Sequence, residues 1–419
     1  MDMKITPSRL SGTLNAISSK SFAHRLLICA ALADRPTRIG VNGISDDINA
    51  TIRCIKAMGC GIVTQDDALL VEPHGESQPP SVVLDCGESG STARFLLPLA
   101  AHLFESFTLN GSGRLPGRPF APLCRALTEA GCSFDDDTLP LTGSGKIRAG
   151  DFPIAGDVSS QFISGLLFAL PLLDGDSSVM LTTPLQSSGY VDMTIEVLAL
   201  FGIEIERCEC GFRVKGNQRY RSPGEAKAEG DWSNAAFFLC MGALGGEVSL
   251  QGLSPRSTQG DREVIDILRR FGANTNICDG DCTVMAGTLR AISIDAAQIP
   301  DLVPVLAVIA SVAAGETKIF NAQRLRIKES DRIQSTFDML SGLGADARIT
   351  EDGLEIRGKE KLAGGTVDGS GDHRIVMAAA TAASVCENPV VIRGCEAVNK
   401  SYPSFFDDYR AMGGAADVV

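Results

Sequence analysis

Eight cations in this sequence stand where a chain can turn them on an anion: Lys20, Arg25, Arg94, Arg118, Lys328, Arg332, Arg374 and Lys400. Each falls at the start of an expected helix or in a connecting loop, and several have small polar neighbours, as in SSKSFAHR, GESGSTAR, DVSSQF and DGSGDHR. A helix start exposes unpaired backbone N–H groups at the positive end of the dipole, and the two together attract phosphate or carboxylate. Gly90 permits close approach to the backbone, and Ser21, Ser159 and Ser160 can donate to phosphate oxygens. Ordinary N-capping accounts for any one such cluster; four on a regular period point to anion binding. Groups able to move protons are fewer. Asp301 opens the apolar segment IPDLVPVLA, where capping is an alternative role. Glu329 stands between Lys328 and Arg332 in RLRIKESDR, where a structural ion pair serves equally well. His373 lies in GDHR, and a lone histidine is more often structural than catalytic.

Other chemistries lack their signatures. There is no Ser/His/Asp order, no P-loop and no HExxH, and the glycines of GSGRLPG do not match a dinucleotide fingerprint. The cysteines, 13 in all, include no CxxC pair and no Cys/His grouping at zinc spacing, so they read as small reduced hydrophobes. A net charge of −13 disfavours nucleic-acid binding and leaves any anionic substrate to a local cluster of Lys and Arg. The longest apolar runs are short for a membrane span and carry prolines, and MDMKITPSRL has no signal-peptide pattern. The expectation is a cytoplasmic enzyme with no membrane or nucleic-acid partner.

These residues are positioned by a repeat. Six amphipathic stretches end in glycine, at Gly59, Gly131, Gly202, Gly272, Gly344 and Gly413, about 70 residues apart. Each predicts a helix with one apolar stripe and a C-terminal glycine cap. Alternating segments broken by a turn follow most of them, and GIVTQDDALLVEP, IEIERCECGFRVKG and ADARITEDGLEIRG predict hairpins. A second set of helices, from SFAHRLLICAALA to HRIVMAAATAASV, is apolar nearly all round and must be buried. Six copies of strand, helix and hairpin make two domains of three. The sixth copy runs out of chain, and the N-terminal segment MDMKITPSRLSGTLNA is expected to supply its missing strand. The arithmetic assigns 21–229 to one domain, and 1–20 with 230–419 to the other.

At this level of detail the chain resembles the 5-enolpyruvylshikimate-3-phosphate synthases. SSKSFAHRLLICAALA, GESGSTARFLLPLA, LPGRP, VSSQFISGLLFALPL, GYVDMT, IPDLVPVLAV, RLRIKESDR, GDHRIVMA and NKSYPSFF occur in that family's order across nearly the whole chain. The resemblance implies an α/β (α+β) fold of two similar domains, each of three βαβαββ units with buried parallel helices, like an inside-out barrel. It implies ligands bound in the cleft between the domains, no metal or cofactor, and a monomer. Phosphoenolpyruvate is then expected at Lys20, Gly90, Arg118, Gln161, Glu329, Arg332, Arg374 and Lys400. Shikimate 3-phosphate is expected at Ser21, Arg25, Ser159, Ser160, Gln161, Ser187, Tyr190, Asp301 and Lys328, with Arg94 and His373 in support. Asp301, Glu329 and Lys20 are the expected proton-transfer groups of an addition followed by an elimination.

Three positions depart from the family pattern: Ala16-Ile17-Ser18 replaces a Pro-Gly, Glu88 stands where Asn is common, and Arg324 replaces an Asn. Glu88 adds negative charge next to the expected phosphoenolpyruvate site, while Gly90 leaves room for glyphosate. Two alternatives are a UDP-N-acetylglucosamine enolpyruvyl transferase and a noncatalytic anion-binding repeat protein. The first typically has a reactive cysteine in the loop equivalent to GSGRLPGRP; here the loop has none, and Cys124 follows it.

Overall fold

A computed structural model describes the whole chain except residues 66, 74 and 76–78. Among the described residues twelve α-helices alternate in character: α1 (Lys20–Ala31), α2 (Asp46–Ala57), α3 (Gly90–Leu103), α4 (Ala121–Glu129), α5 (Ser160–Ala169), α6 (Ser188–Leu200), α7 (Trp232–Ala243), α8 (Val264–Phe271), α9 (Val303–Ala310), α10 (Arg332–Gly342), α11 (His373–Ala383) and α12 (Phe405–Ala411). Every odd-numbered helix is almost wholly buried, as its all-round apolar surface requires. The even-numbered helices each bury one side. All six repeat glycines follow an even-numbered helix with positive φ, between 76° at Gly202 and 110° at Gly131, the left-handed turn that ends a helix at low steric cost.

The chain divides into two compact units, Met1–Ser19 with Glu229–Val419, and Lys20–Ala228. Each boundary lies one residue earlier than the repeat arithmetic puts it. Each unit has its own apolar core, built around three of the buried helices. Close packing is visible where α5 crosses α3: Gly165 lies so near the Arg94 carbonyl that no Cβ fits.

Six four-stranded sheets clothe these cores among the described residues. In the regular pattern Ser81–Asp85 pairs parallel with Ser106–Asn110, which pairs antiparallel with Leu141–Gly145, itself in a hairpin with Cys132–Phe134. The three hairpins expected from alternation are present, and Asp66, between the two strands of the first in sequence, lies outside the described residues.

The N-terminal segment does more than complete the sixth repeat. Met3–Thr6 inserts between Val390–Arg393 and Ala415–Val418, as expected, but Ser11–Asn15 pairs parallel with Glu247–Gln251 in a different sheet of the same unit. Glu225–Lys227, just before α7 in sequence, pairs with Thr37–Gly40, just after α1. At both crossings, therefore, the strand before a buried helix stays with the unit it leaves. That exchange makes the unit containing the N-terminus discontinuous.

All thirteen cysteines are free, and ten are buried. No helix is long and apolar enough to cross a membrane among the described residues.

Candidate active site

In the unit Lys20–Ala228, the expected ligands fall in the first turns of α1, α3, α5 and α6 or just before them, except Arg118, which follows the 3-10 turn Leu115–Gly117. Lys20 opens α1 and its Nζ lies 2.8 Å from Asp47 Oδ2 at the start of α2. Asp47 was not singled out in the sequence, because its partner is 27 residues away and no local pattern joins them. Ser89 caps α3 by accepting from the Thr92 backbone N–H at 3.2 Å, so Gly90 occupies the first helical position. Arg118 lies over Gly90 so closely that a Cβ there would stand 2.8 Å from its terminal nitrogen. A helix start and a guanidinium thus share one point. Glu88 directs its carboxylate against Gly113, into the space a Cβ there would occupy.

Arg25 is buried, and its guanidinium donates to Thr194 Oγ1 at 2.8 Å, to the Tyr190 carbonyl at 2.8 Å and to the Ser21 carbonyl at 2.7 Å. It also lies 4.9 Å from the Phe95 ring centre. Burial brings its pKa down to about 9, which leaves it charged at neutral pH. Arg94 is occupied otherwise. It donates to Gln161 Oε1 at 2.7 Å and to the Pro119 carbonyl at 3.2 Å, between the rings of Phe120 and Phe162, each 5.3 Å away. Gln161 in turn donates to Ser91 Oγ at 2.8 Å. Arg94 therefore orients Gln161. Ser159 caps α5, Ser160 opens it, and Ser187 precedes α6 in a left-handed conformation with φ of 54°.

The other unit concentrates charge. Arg332, at the start of α10, is 1% exposed and reaches three carboxylates: Asp301 at 2.6 Å, Glu329 at 2.7 Å and Asp372 at 2.7 Å. Asp301 also lies 3.7 Å from Lys328 Nζ and 3.5 Å from Arg374. Its carboxyl does not cap α9: it sits in the 3-10 turn Pro300–Leu302, which has no side-chain cap. Burial disfavours its charge, but Lys328, Arg374 and Arg332 outweigh that and hold its pKa well below the carboxylate range. Burial lowers Lys328 to about 8 against the pull of Asp301, and the charge of Arg324 pushes the same way as burial. Arg324, although a departure, thus acts on this cluster through Lys328. Burial would also discharge Arg332, but Asp372, Glu329 and Asp301 raise its pKa.

Asp372 both binds Arg332 and caps α11, accepting from the Arg374 N–H at 3.0 Å, while Ser330 Oγ donates to it at 3.0 Å. His373 is buried beside it, with Nδ1 3.7 Å from Asp372 Oδ1. Arg374 donates to the Ser233 carbonyl at 3.2 Å, and the Ser233 hydroxyl donates to buried Asp261. Burial and then the Asp301 charge raise Asp261 to about 7. Lys400, 8% exposed, ends the 3-10 segment Cys395–Lys400. Asp372 and Asp261 were absent from the sequence reading. Their neighbours GDHR and TQGDRE offer only a capping signal. Among the described residues no group of three or more His, Cys, Asp or Glu side chains could hold a metal ion. Cys124 lies buried on α4, and burial pushes its thiol up to about 12, far from a reactive thiolate.

The sequence model of the family EPSP synthase (3-phosphoshikimate 1-carboxyvinyltransferase) matches residues 5–409. A relative from Clostridium novyi (strain NT), named 3-phosphoshikimate 1-carboxyvinyltransferase, is 44% identical over 428 residues, covering 99% of this chain and 98% of the relative. One of the same name from Clostridium kluyveri is 43% identical over 418 residues, with coverage of 99% and 98%. Among solved structures, EPSP synthase from Acinetobacter baumannii superposes with a TM-score of 0.82 at 27% identity, covering 100% of both chains. The enolpyruvyl transferase NikO from Streptomyces tendae gives 0.82 at 17% identity, covering 99% of this chain and 98% of its own, a likeness of fold alone.

Proposed function

This chain belongs to the EPSP synthase family, and from that premise we propose that it transfers the enolpyruvyl group of phosphoenolpyruvate to the 5-hydroxyl of shikimate 3-phosphate, releasing phosphate. The observation that carries the reading is Asp301, an ionised carboxylate beside three cations, with Glu329 on one of the same cations. Two polyanionic substrates need many charge-assisted donors to offset their repulsion, and a carboxylate kept ionised among them can still accept a proton.

In the proposed reaction the 5-hydroxyl gives its proton to Asp301 as its oxygen bonds to C2 of phosphoenolpyruvate. The C2–C3 π pair takes a proton at the methylene carbon, from Glu329 or Lys20. The tetrahedral adduct then loses a proton from that methyl group as the C2–O bond to phosphate breaks, restoring the double bond. Phosphoenolpyruvate is assigned to Lys20, Gly90, Arg118, Gln161, Glu329, Arg332, Arg374 and Lys400. Shikimate 3-phosphate is assigned to Ser21, Arg25, Ser159, Ser160, Gln161, Ser187, Tyr190, Asp301 and Lys328. Arg94 holds Gln161, and His373 packs beside Asp372, which holds Arg332. Gly90 is expected to let glyphosate compete with phosphoenolpyruvate. The acidic net charge supports a site without nucleic acid, and the family resemblance supports a cytoplasmic monomer needing no metal.

The test is phosphate release from phosphoenolpyruvate by chelator-treated enzyme, with shikimate 3-phosphate or UDP-N-acetylglucosamine as acceptor. Release with shikimate 3-phosphate only is expected. Release with the sugar nucleotide only overturns the reading, and release with neither revives a binding protein.

A further inference from the structure

α1 and α2 are joined by two rungs, one helical turn apart. The outer rung is the ion pair of Lys20 and Asp47 at 2.8 Å; the inner is His24 Nδ1 with Thr51 Oγ1 at 2.6 Å. From Thr51 the hydrogen bonds continue to Thr92 Oγ1 at 2.6 Å, and from Thr92 to Ser89 Oγ at 2.8 Å. Ser89 is the cap of α3, whose first residue is Gly90. All four side chains in the chain are 0% exposed.

We propose that His24 is a positioning residue: through Thr51, Thr92 and Ser89 its imidazole keeps Lys20 on α1 in register with the Gly90 start of α3, so that both reach one phosphoenolpyruvate. The proposal rests on the assignment of Lys20 and Gly90 to that substrate. Several observations bear on it. His24 Nε2 is buried with no hydrogen-bond partner among the described residues, and the ring meets Phe95 edge-on at 6.5 Å. A bare lone pair at Nε2 costs less there than an unpaired N–H, so Nδ1 carries the proton and donates to Thr51. The hydroxyls then pass their hydrogens in one direction, Thr51 to Thr92 and Thr92 to Ser89. Bonds so aligned polarise one another, and their directionality fixes a register that apolar packing alone leaves loose. Burial lowers the imidazole to about 3, so it stays neutral across the working range and holds this pattern.

The expected ligands of shikimate 3-phosphate on α1 are anchored separately. Arg25 is fixed by Thr194 and Tyr190 of α6. Loss of the His24 chain should therefore separate the two substrates. His24→Leu is expected to raise KM for phosphoenolpyruvate about tenfold, with KM for shikimate 3-phosphate changed less than about twofold. His24→Asn, whose amide N–H can replace the Nδ1 donor, should restore most of the loss. Thr92→Val, of nearly the same shape, cuts the chain at its middle and carries the test if His24→Leu fails to fold. Unchanged KM for phosphoenolpyruvate with a lower melting temperature, or equal rises in both KM values, would overturn the proposal. A Lys20→Met variant with unaltered KM for phosphoenolpyruvate would overturn the underlying assignment instead, so the two failures are distinguishable.

Discussion

The two units are built from the same repeat but hold their polar groups by opposite means. In Lys20–Ala228, beside the one ion pair of Lys20 and Asp47 at the starts of α1 and α2, the ties between helices are mostly neutral: His24 to Thr51, Thr51 to Thr92, Thr92 to Ser89, and Gln161 to Ser91. In the other unit Arg332 alone meets three carboxylates, and Lys328 and Arg374 share one of them. Neutral hydrogen bonds fix the geometry of the α3 start, over which Arg118 lies. A buried charge needs compensating charge, and Asp301, so compensated, keeps its ionised form. Neutral ties and clustered charge are thus concentrated in different copies of one fold.

The comparison predicts unequal costs. Arg332→Met removes the one cation that three carboxylates share and should destabilise the protein by about 3–5 kcal/mol in denaturant unfolding. Thr51→Val in the neutral chain should cost about 1–3 kcal/mol. Equal losses would break the contrast. Glu329→Gln keeps the shape but loses the charge, and kcat should fall about 10²–10⁴-fold with KM for either substrate nearly constant. A change confined to KM would reduce Glu329 to a binding group.

Gly90→Ala tests the neutral side. The added Cβ at 2.8 Å from Arg118 must displace that guanidinium, raising KM for phosphoenolpyruvate about tenfold while sparing shikimate 3-phosphate. Inhibition constants for glyphosate should rise with it.

pH bears on both units. Lys328 loses its proton as pH rises through about 8, so kcat/KM for shikimate 3-phosphate should decline above that value, and Lys328→Arg should remove the limb. In the neutral unit the sign concerns stability. His24 is depressed to about 3 when folded, from 6.5, so between those values the unfolded chain binds more protons. Stability contributed by neutral His24 is present above 6.5 and is lost as pH falls toward 3, at no more than about 1.4 kcal/mol per pH unit. His24→Asn should flatten that slope in acid unfolding curves.

The fold was legible largely because its signals are local. Glycines at 59, 131, 202, 272, 344 and 413 each end a helix with positive φ, as the cap requires. Buried and half-buried helices differ in composition, and hairpins announce themselves by alternation. The destination of Ser11–Asn15 was not legible, since a strand's partner is chosen by which edge lies open and not by its own four or five residues. Of the site, Gly90, Arg332 and Asp301 could be named from helix starts and family resemblance. Asp47, Asp372, Asp261 and His24 could not, because their partners lie 27 to 42 residues away or on another helix.

By itself, then, the sequence determined the repeat, the two classes of helix and the set of cations at helix starts, because hydrophobic period, capping and charge are written within a turn or two of chain. Only the tertiary structure decided which carboxylate neutralises which cation, and that Arg94 serves Gln161 while Arg118 lies over Gly90. Those pairings depend on distances of a few ångströms between helices far apart in sequence, and the energy of a buried charge is set by its neighbours in space.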